Sequence, residues 1–308
     1  MRNIVELISL VGPTSSGKTD IAIELAKSLN GEIVSADSRL VYADFNIGTA
    51  KPDIIERQGI EHYLIDVASP RITYSVSDYV ETAEDAILTI RAKGKAPILT
   101  GGTGFYIKAL LEGLDIPKVA PDKDFRLEMR AFAGDFGNEK LYQKLLDIDP
   151  AAAEKLHPND VFRVIRALEI HRGTGELPSK LQVLKEPNHK SVYFGLNAQN
   201  REFLYEKINL RTDVMLERGL IAEVEGLIAK YGRDLQLLNT LGYKEICEYL
   251  SGETTLDEAR EKIQKNTRNY AKRQLTWFRA NEKIKWYHID TMKKDEIVQD
   301  IKKCLSTM

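Results

Sequence analysis

The chain has 308 residues, of which 43% are hydrophobic and 29% are charged, and its formal net charge is −2. These values are typical of a soluble globular enzyme and exclude a disordered or fibrous chain. A net charge so close to zero provides no global attraction for nucleic acid, so a nucleic-acid partner would have to meet a local basic patch.

The cysteines, the histidines and the apolar runs argue against several other classes. Cys247 and Cys304 form no motif, and the five histidines do not occur at spacings typical of a metal site. The longest apolar stretches are too short to span a bilayer. We therefore expect a cytoplasmic monomer with no membrane partner.

In the first third of the chain, predicted strands alternate with predicted helices. The strands are expected at residues 4–11, 32–36, 62–67 and 96–100, and the helices at residues 21–29, 77–93 and 105–112. This alternation predicts an α/β fold with a doubly wound parallel sheet, similar to that of the P-loop NTPases.

The pattern changes after Gly113. Residues 122–178 show helical periodicity without a strand, and strands return at residues 192–196 and 284–289. We therefore predict three segments. They are the first part of the α/β core at 1–121, a helical insertion at 122–180, and a return to the core with a basic C-terminal helical region at 181–308.

Residues 12–19 match the P-loop pattern, with a strand before them and a helix after them. The matching residues are Gly12, Pro13, Thr14, Ser15, Ser16, Gly17, Lys18 and Thr19. In such a loop the backbone N–H groups and the helix N-terminus attract phosphate. Lys18 adds a positive charge, and the Thr19 hydroxyl is a candidate ligand for Mg²⁺. Alone, the loop suggests nucleotide binding, as in a kinase or NTPase that binds ATP.

Two polar residues follow other predicted strands. Asp37 ends the second strand, and Thr103 lies in Gly101-Gly102-Thr103-Gly104 after the fourth. Ligands of a doubly wound sheet bind beyond the carboxyl ends of its strands, so both residues are expected near the P-loop. Asp37 is a candidate general base, and Thr103 a candidate donor to a leaving group. Both could instead stabilise turns.

Basic residues are concentrated near the C-terminus. Residues 258–287 contain nine Lys or Arg against three Glu, and Tyr270 and Trp277 lie among them. On a helix, the residues near one face would be Lys262, Lys265, Arg268, Lys272 and Arg279. This pattern is typical of RNA binding, although a solvated helix face has the same appearance. Within 122–180, Arg163 and Arg166 lie on a different face from the core position Ile165.

Together these segments resemble the tRNA dimethylallyltransferase family, the bacterial tRNA isopentenyltransferases, along nearly the whole chain. About a dozen motifs carry the resemblance in the same order, which is far more specific than any one motif. They include Gly12 to Thr19, Ala36 to Ser38, Ile47 to Pro52, Gly101 to Thr103, His157 to Asp160, Arg166 to Glu169, Gly242 to Glu245 and Lys272 to Arg279.

The resemblance implies transfer of the dimethylallyl group from dimethylallyl diphosphate to the N6 amine of adenosine 37, next to the tRNA anticodon. The P-loop would hold the diphosphate, and Thr19 would help to place the cofactor Mg²⁺. Asp37 would take the proton from the adenine amine. Thr103, Arg211 and Lys18 would stabilise the departing diphosphate.

The resemblance also implies contacts with the anticodon arm, some of them from the helical insertion. These residues are Asp37, Ser38, Arg39, Leu40, Arg126, Phe162, Arg163, Val164, Ile165, Arg166, Gly242, Tyr243, Lys244, Lys272, Arg273, Gln274, Trp277 and Arg279. Two positions depart from the family pattern. Leu40 stands where the family usually has Gln, and Tyr63 where it often has a second His.

Three other functions share some of these features. A prenyltransferase acting on free adenine nucleotides would need the same cleft but no RNA surface. A P-loop small-molecule kinase would turn over ATP. An RNA-binding protein that uses its P-loop as a nucleotide switch would leave Asp37 and Thr103 without a role.

Overall fold

The computed structural model describes residues 7–114, 116–117, 119–181, 186 and 189–307. Its centre is a six-stranded sheet in the order β3-β2-β4-β1-β5-β6, and the paired strands run parallel. The strands are β1 Leu7–Val11, β2 Gly31–Ser35, β3 His62–Tyr63, β4 Ala96–Gly101, β5 Ser191–Asn197 and β6 Lys285–His288. The predicted parallel α/β sheet is therefore confirmed.

Thirteen α-helices and one 3-10 turn, Gln236–Asn239, accompany the sheet in the described part of the chain. The helices are α1 Lys18–Leu29, α2 Val76–Ala92, α3 Gly104–Leu111, α4 Lys123–Phe136, α5 Asn138–Ile148, α6 Pro150–Ala153, α7 Val161–Thr174, α8 Pro178–Leu181, α9 Arg201–Glu217, α10 Leu220–Tyr231, α11 Tyr243–Leu250, α12 Leu256–Arg279 and α13 Lys294–Ser306. No described helix combines the length and the apolarity that a bilayer span needs.

Strand β1 lies in the middle of the sheet, which explains its composition. It pairs with β4 on one side and with β5 on the other, and all five of its residues are buried. A strand that is covered on both faces is apolar along most of its length rather than alternating. Its last residue, Val11, leads directly into the P-loop, which therefore lies beyond the carboxyl ends of the strands.

Strand β3 is much shorter than predicted. A strand was expected at residues 62–67, but only His62 and Tyr63 pair with β2. Leu64 and Asp66 adopt positive φ angles of 63° and 59°, which cannot continue an extended strand. The prediction of strand at 64–67 is therefore wrong.

The chain forms two compact units, one of residues 1–110 and 188–308 and the other of residues 111–187. The first contains the sheet. The second is helical, with a core that includes Leu141, Leu145 and Val164. Residues 122–178 are all described and contain no strand, as the periodicity predicted. The division at 121 and 180 stays a prediction.

Candidate active site

A cleft of about 1300 Å³ opens in the sheet-containing unit, beyond the carboxyl ends of β1, β2 and β4. Its lining comes from the P-loop, the segment after β2, the loop 46–52, α9 and α12. This is the place where a doubly wound sheet binds its ligands. Lys18, Asp37 and Arg211, three of the four predicted catalytic residues, line this cleft.

Glycine is required at the start of the P-loop. Gly12 has a φ of 149°, and a Cβ added to it would lie 2.4 Å from the carbonyl oxygen of Leu196. Gly17 has a φ of 75° and forms the N-cap of α1. These two glycines allow the loop to turn tightly into the helix, whose N-terminus then faces the cleft.

The side chains of the P-loop prepare the loop for an anion. Lys18 Nζ and Ser16 Oγ both donate to the carbonyl oxygen of Pro13, at 2.6 and 2.8 Å. The buried Oγ of Ser15 has no hydrogen-bond partner within the described part of the protein. A buried polar atom of this kind is costly unless a ligand satisfies it, so it fits a phosphate in this loop.

Two desolvated cations face one carboxylate in the cleft. Burial, with help from Arg211, lowers the pKa of Lys18 to about 7, and Asp37 opposes the shift. Burial also lowers the pKa of Arg211, again opposed by Asp37. Because Arg211 is charged and a neighbouring diphosphate would favour the charged form of Lys18, a diphosphate would be favoured in this poorly solvated place.

Asp37 follows β2 and is half-buried at the cleft. Its Oδ1 accepts a hydrogen bond from the backbone N–H of Arg39, at 2.8 Å. Tyr270 of α12 lies close enough for burial and the charge of Asp37 to raise its pKa to about 12. The carboxylate therefore lies in the same cleft as the P-loop lysine, with α12 beside it.

Thr103 joins the segment after β4 to the segment after β2. Its backbone N–H donates to the carbonyl oxygen of Ala36 at 3.0 Å. Its Oγ1 accepts from the N–H of Ser38 at 2.9 Å and lies 3.3 Å from Ser38 Oγ. Gly101 permits this close approach, since a Cβ there would lie 2.2 Å from Ala36 O. Thr103 thus supports the Asp37 segment, and its action on the diphosphate stays a prediction.

The loop 46–48 is held by a residue that the sequence did not suggest. Glu223 of α10 accepts the N–H groups of Asn46, Ile47 and Gly48 at 3.1, 2.7 and 3.1 Å. It also accepts the hydroxyl of Tyr243 at 2.7 Å. The loop continues to Thr49, whose carbonyl oxygen accepts Nη2 of Arg211 at 3.3 Å. The sequence around Glu223 contains no motif that would predict a contact with residues some 175 positions away.

The oxygen atoms at the cleft fit Mg²⁺ only in combination with a ligand. Thr19 lies exposed in the first turn of α1 and lines the cleft. The described residues contain no group of three or more His, Cys, Asp or Glu that could hold a metal. Mg²⁺ commonly binds one or two protein oxygens together with substrate phosphates and water. Thr19 fits such a site if a diphosphate supplies further oxygens.

Residues 40–281, more than half of the chain, match the family model described as IPP transferase. The chain belongs to the IPP transferase family. This chain is 44% identical to the tRNA dimethylallyltransferase of Thermoanaerobacter sp., with 98% of each chain covered. It is 46% identical to that of Acetivibrio thermocellus, over 98% of this chain and 97% of the relative. The predicted family is thereby confirmed.

Solved structures agree with the sequence relatives. This chain is similar to the full-length tRNA isopentenylpyrophosphate transferase of Bacillus halodurans, with 40% identity, a TM-score of 0.72, and 98% and 97% of the two chains covered. It is also similar to a eukaryotic dimethylallyltransferase captured in crystallographic snapshots of its action on tRNA. That comparison gives 28% identity and a TM-score of 0.81 over 96% of this chain and 77% of the other.

Several residues that are predicted to contact tRNA lie in the cleft or at the surface of the sheet-containing unit, where a large ligand can reach them. Leu40 and Gly242 line the cleft. The exposed residues are Arg39, Lys244, Lys272, Arg273, Trp277 and Arg279. Two side chains of the predicted basic face are engaged elsewhere, since Lys262 pairs with Glu248 at 3.0 Å and Arg268 donates to Asn209 at 2.7 Å.

Tyr243 and Gln274 are buried, with 1% and 6% of their surface exposed. The amide of Gln274 accepts the N–H of Thr14 at 2.8 Å and donates to the carbonyl oxygen of Gly102 at 2.9 Å. Gln274 therefore joins α12 to the P-loop, while Tyr243 packs under the loop 46–48. Both residues line the cleft, and their contact with tRNA stays a prediction.

The predicted tRNA contacts in the helical unit also include both buried and exposed residues. Val164 and Ile165 lie in its core, at 0% and 3% exposure, and their contact with tRNA stays a prediction. Phe162 and Arg163 are exposed. The remaining two predicted contacts, Arg126 and Arg166, both pair with the buried carboxylate of Glu169, at 2.7 and 2.5 Å.

Proposed function

We propose that this protein transfers the dimethylallyl group of dimethylallyl diphosphate to the N6 amine of adenosine 37 in tRNA and releases diphosphate. The observation that carries the proposal is the cleft, which brings the P-loop, Arg211 and Asp37 together in one place. Family membership supports the chemistry, since relatives with 44% and 46% identity are named tRNA dimethylallyltransferases. We further expect a monomer that acts in the cytoplasm, where it would meet tRNA.

The leaving group dominates the chemistry. An aromatic amine is a weak nucleophile because its lone pair is delocalised into the ring, so the C–O bond to diphosphate must be weakened by stabilising the departing negative charge. The P-loop, Lys18 and Arg211 line the cleft, and they would supply this stabilisation. Thr19 would hold Mg²⁺ with the diphosphate oxygens, and the metal would supply further charge neutralisation.

Asp37 completes the transfer on the amine side. As the N6 lone pair forms its bond to carbon, the nitrogen becomes positively charged and loses a proton. A carboxylate within hydrogen-bond reach accepts that proton while the electron pair of the broken C–O bond leaves with the diphosphate. Asp37 lines the same cleft as the diphosphate-binding loop, which is the position this role requires.

The adenine must leave the anticodon loop to reach the cleft. Enzymes that modify a base commonly flip it out of its stack into a pocket. A cleft of about 1300 Å³ has room for a base together with the prenyl diphosphate. Exposed Lys272, Arg273 and Arg279 on α12 would bind the backbone around that base.

This proposal can be tested by incubating the protein with labelled dimethylallyl diphosphate, Mg²⁺ and bulk tRNA. The tRNA is then digested to nucleosides, and the label is located among them. We expect the label in a prenylated adenosine from tRNA and no label on free AMP in a parallel reaction. Label on AMP alone would instead support a free-nucleotide prenyltransferase. Phosphate release from ATP, with ATP binding as tight as that of dimethylallyl diphosphate, would support a kinase.

A further inference from the structure

A stripe of aromatic and basic side chains runs along α12 from the cleft towards the surface. Tyr270, Arg273 and Trp277 are spaced by three and four residues, so they lie on one face of the helix. Tyr270 and Arg273 line the cleft. The guanidinium carbon of Arg273 lies 5.8 Å from the ring centroid of Tyr270. Trp277 therefore continues, beyond the cleft, a face that begins inside it.

Trp277 meets a second exposed aromatic ring. Phe105, the second residue of α3, lies edge-on to it with ring centroids 6.5 Å apart and an interplanar angle of 85°. Trp277 rests on the backbone of α3, since a Cβ at Gly104 would lie only 2.1 Å from Trp277 Cδ1. Phe105 nevertheless remains 44% exposed and Trp277 41% exposed. The pair is thus fixed in orientation and still open on one side.

The charges near the pair indicate a partner that carries both negative charges and flat rings. Arg273 lies one turn before Trp277 on the same face of α12, and Lys272 and Arg279 are exposed on other sides of that helix. An exposed aromatic ring close to cations can bind single-stranded nucleic acid, because every base has a face that can stack and every phosphate a charge.

We propose that Phe105 and Trp277 form a stacking platform for an unpaired tRNA base next to the adenosine that enters the cleft. The inference rests on the proposed function, since it assigns a part of the same tRNA. When one base of the anticodon loop leaves its stack, its neighbours lose their stacking partner. The platform would replace that partner and hold the loop open beside the cleft.

Trp277 itself can report the contact. The chain has two tryptophans, Trp277 and Trp286, so Trp286→Phe leaves Trp277 as the single indole. We expect an anticodon stem-loop to quench the emission of Trp277, and a fully paired RNA duplex with as many phosphates to leave it unchanged. Equal quenching by both RNAs, or by neither, would overturn the proposal.

Substitution of Phe105 tests how much its ring contributes to binding of the anticodon stem-loop. Phe105→Leu keeps an apolar side chain but removes the ring, and should weaken binding of the stem-loop about 5- to 30-fold. The slope of affinity against salt should not change, because stacking releases no counterions. Phe136→Leu, at an exposed aromatic residue of the helical unit, is the matched control and should bind as the wild type does. Equal affinity of the Phe105 variant and the control would overturn the platform.

The two proposals can fail separately. If the wild-type protein forms prenylated adenosine but the stem-loop does not change the emission of Trp277, only the stacking platform is refuted. Quenching by the stem-loop without any prenylated product would refute the proposed reaction while supporting the RNA contact. Unchanged binding of dimethylallyl diphosphate to the Phe105 variant is also expected, because the P-loop does not include this ring.

Discussion

Glu223 is expected to control catalysis without touching either substrate. Its two oxygens accept three consecutive backbone N–H groups and the hydroxyl of Tyr243. The loop that it holds ends on the Thr49 carbonyl, which orients Arg211 at the cleft. Glu223→Gln keeps the size of the side chain but replaces one of its two oxygens by an NH₂ group, which cannot accept a hydrogen bond. The variant therefore loses either the bond from the Gly48 N–H or the bonds from the Asn46 and Ile47 N–H groups.

The magnitude follows from the bonds that are lost. A hydrogen bond to a charged group contributes about 1.5–3 kcal/mol, and Glu223→Gln removes at least one such bond together with the charge. If the loop shifts and Arg211 shifts with it, stabilisation of the leaving group falls. We expect kcat to decrease about 10- to 100-fold, because displacing a catalytic group by about 1 Å can cost up to about 10²-fold in rate.

Single-turnover transfer to tRNA, with affinity for dimethylallyl diphosphate measured separately, gives the readout. Glu225→Gln is the matched control, since Glu225 is an exposed carboxylate on the same helix α10. Tyr243→Phe removes only one of the four bonds and should have a smaller effect. A Glu223→Gln protein with a lower melting temperature but kcat within twofold of the wild type would refute the link to Arg211.

Three further predictions concern the cleft and the basic helix. Asp37→Ala should lower kcat about 10²-fold or more with tRNA affinity nearly unchanged, and a loss mainly in affinity would make Asp37 a positioning residue. Lys272→Ala with Arg279→Ala should weaken tRNA binding and reduce the salt slope by roughly one unit per lost contact, whereas an unchanged slope would mean a solvated face. The pKa of Lys18, lowered by burial to about 7, leaves this amine mostly neutral at pH 8. A neighbouring diphosphate favours the charged amine, so binding of dimethylallyl diphosphate with Mg²⁺ should take up nearly one proton at pH 8 and almost none at pH 5.5. Calorimetry in buffers of different ionisation enthalpy measures this uptake, and Lys18→Met should abolish it.

The parts of the site that sequence could predict are those encoded locally. The P-loop combines a strand, two glycines, Lys18 and a helix within a few positions, so its geometry follows from one stretch of chain. Asp37 was predictable because it ends a strand, and the ends of parallel strands converge. Helical periodicity also assigned Ile165 to a core, correctly, while the family resemblance assigned the same residue to tRNA. The structure agrees with the periodicity, and the contact of this residue with tRNA stays a prediction.

The parts that sequence could not predict depend on distant pairing or on unusual backbone. Glu223 meets its loop across more than 170 residues, and Gln274 meets Thr14 across 260. Hydrophobic periodicity describes only neighbouring positions along the chain, so it cannot predict such distant pairs. Strand β3 ends early because Leu64 and Asp66 take positive φ angles, although neither is glycine. Composition favours a strand there, and only the tertiary contacts of the segment, including the pairing of Lys51 with Asp66, decide otherwise.

The bond between Gln274 and Thr14 sets a limit on how the length of α12 can vary. An α-helix turns about 100° per residue, so one residue inserted between Ile263 and Gln274 would rotate everything after it by that angle. The amide of Gln274 would leave the P-loop, and Trp277 would leave the backbone of Gly104. A substitution on the exposed face of α12 leaves these two contacts in place, whereas a single insertion or deletion between them and the start of the helix breaks both. Among functional homologues we therefore expect a constant number of residues between the buried positions of this helix.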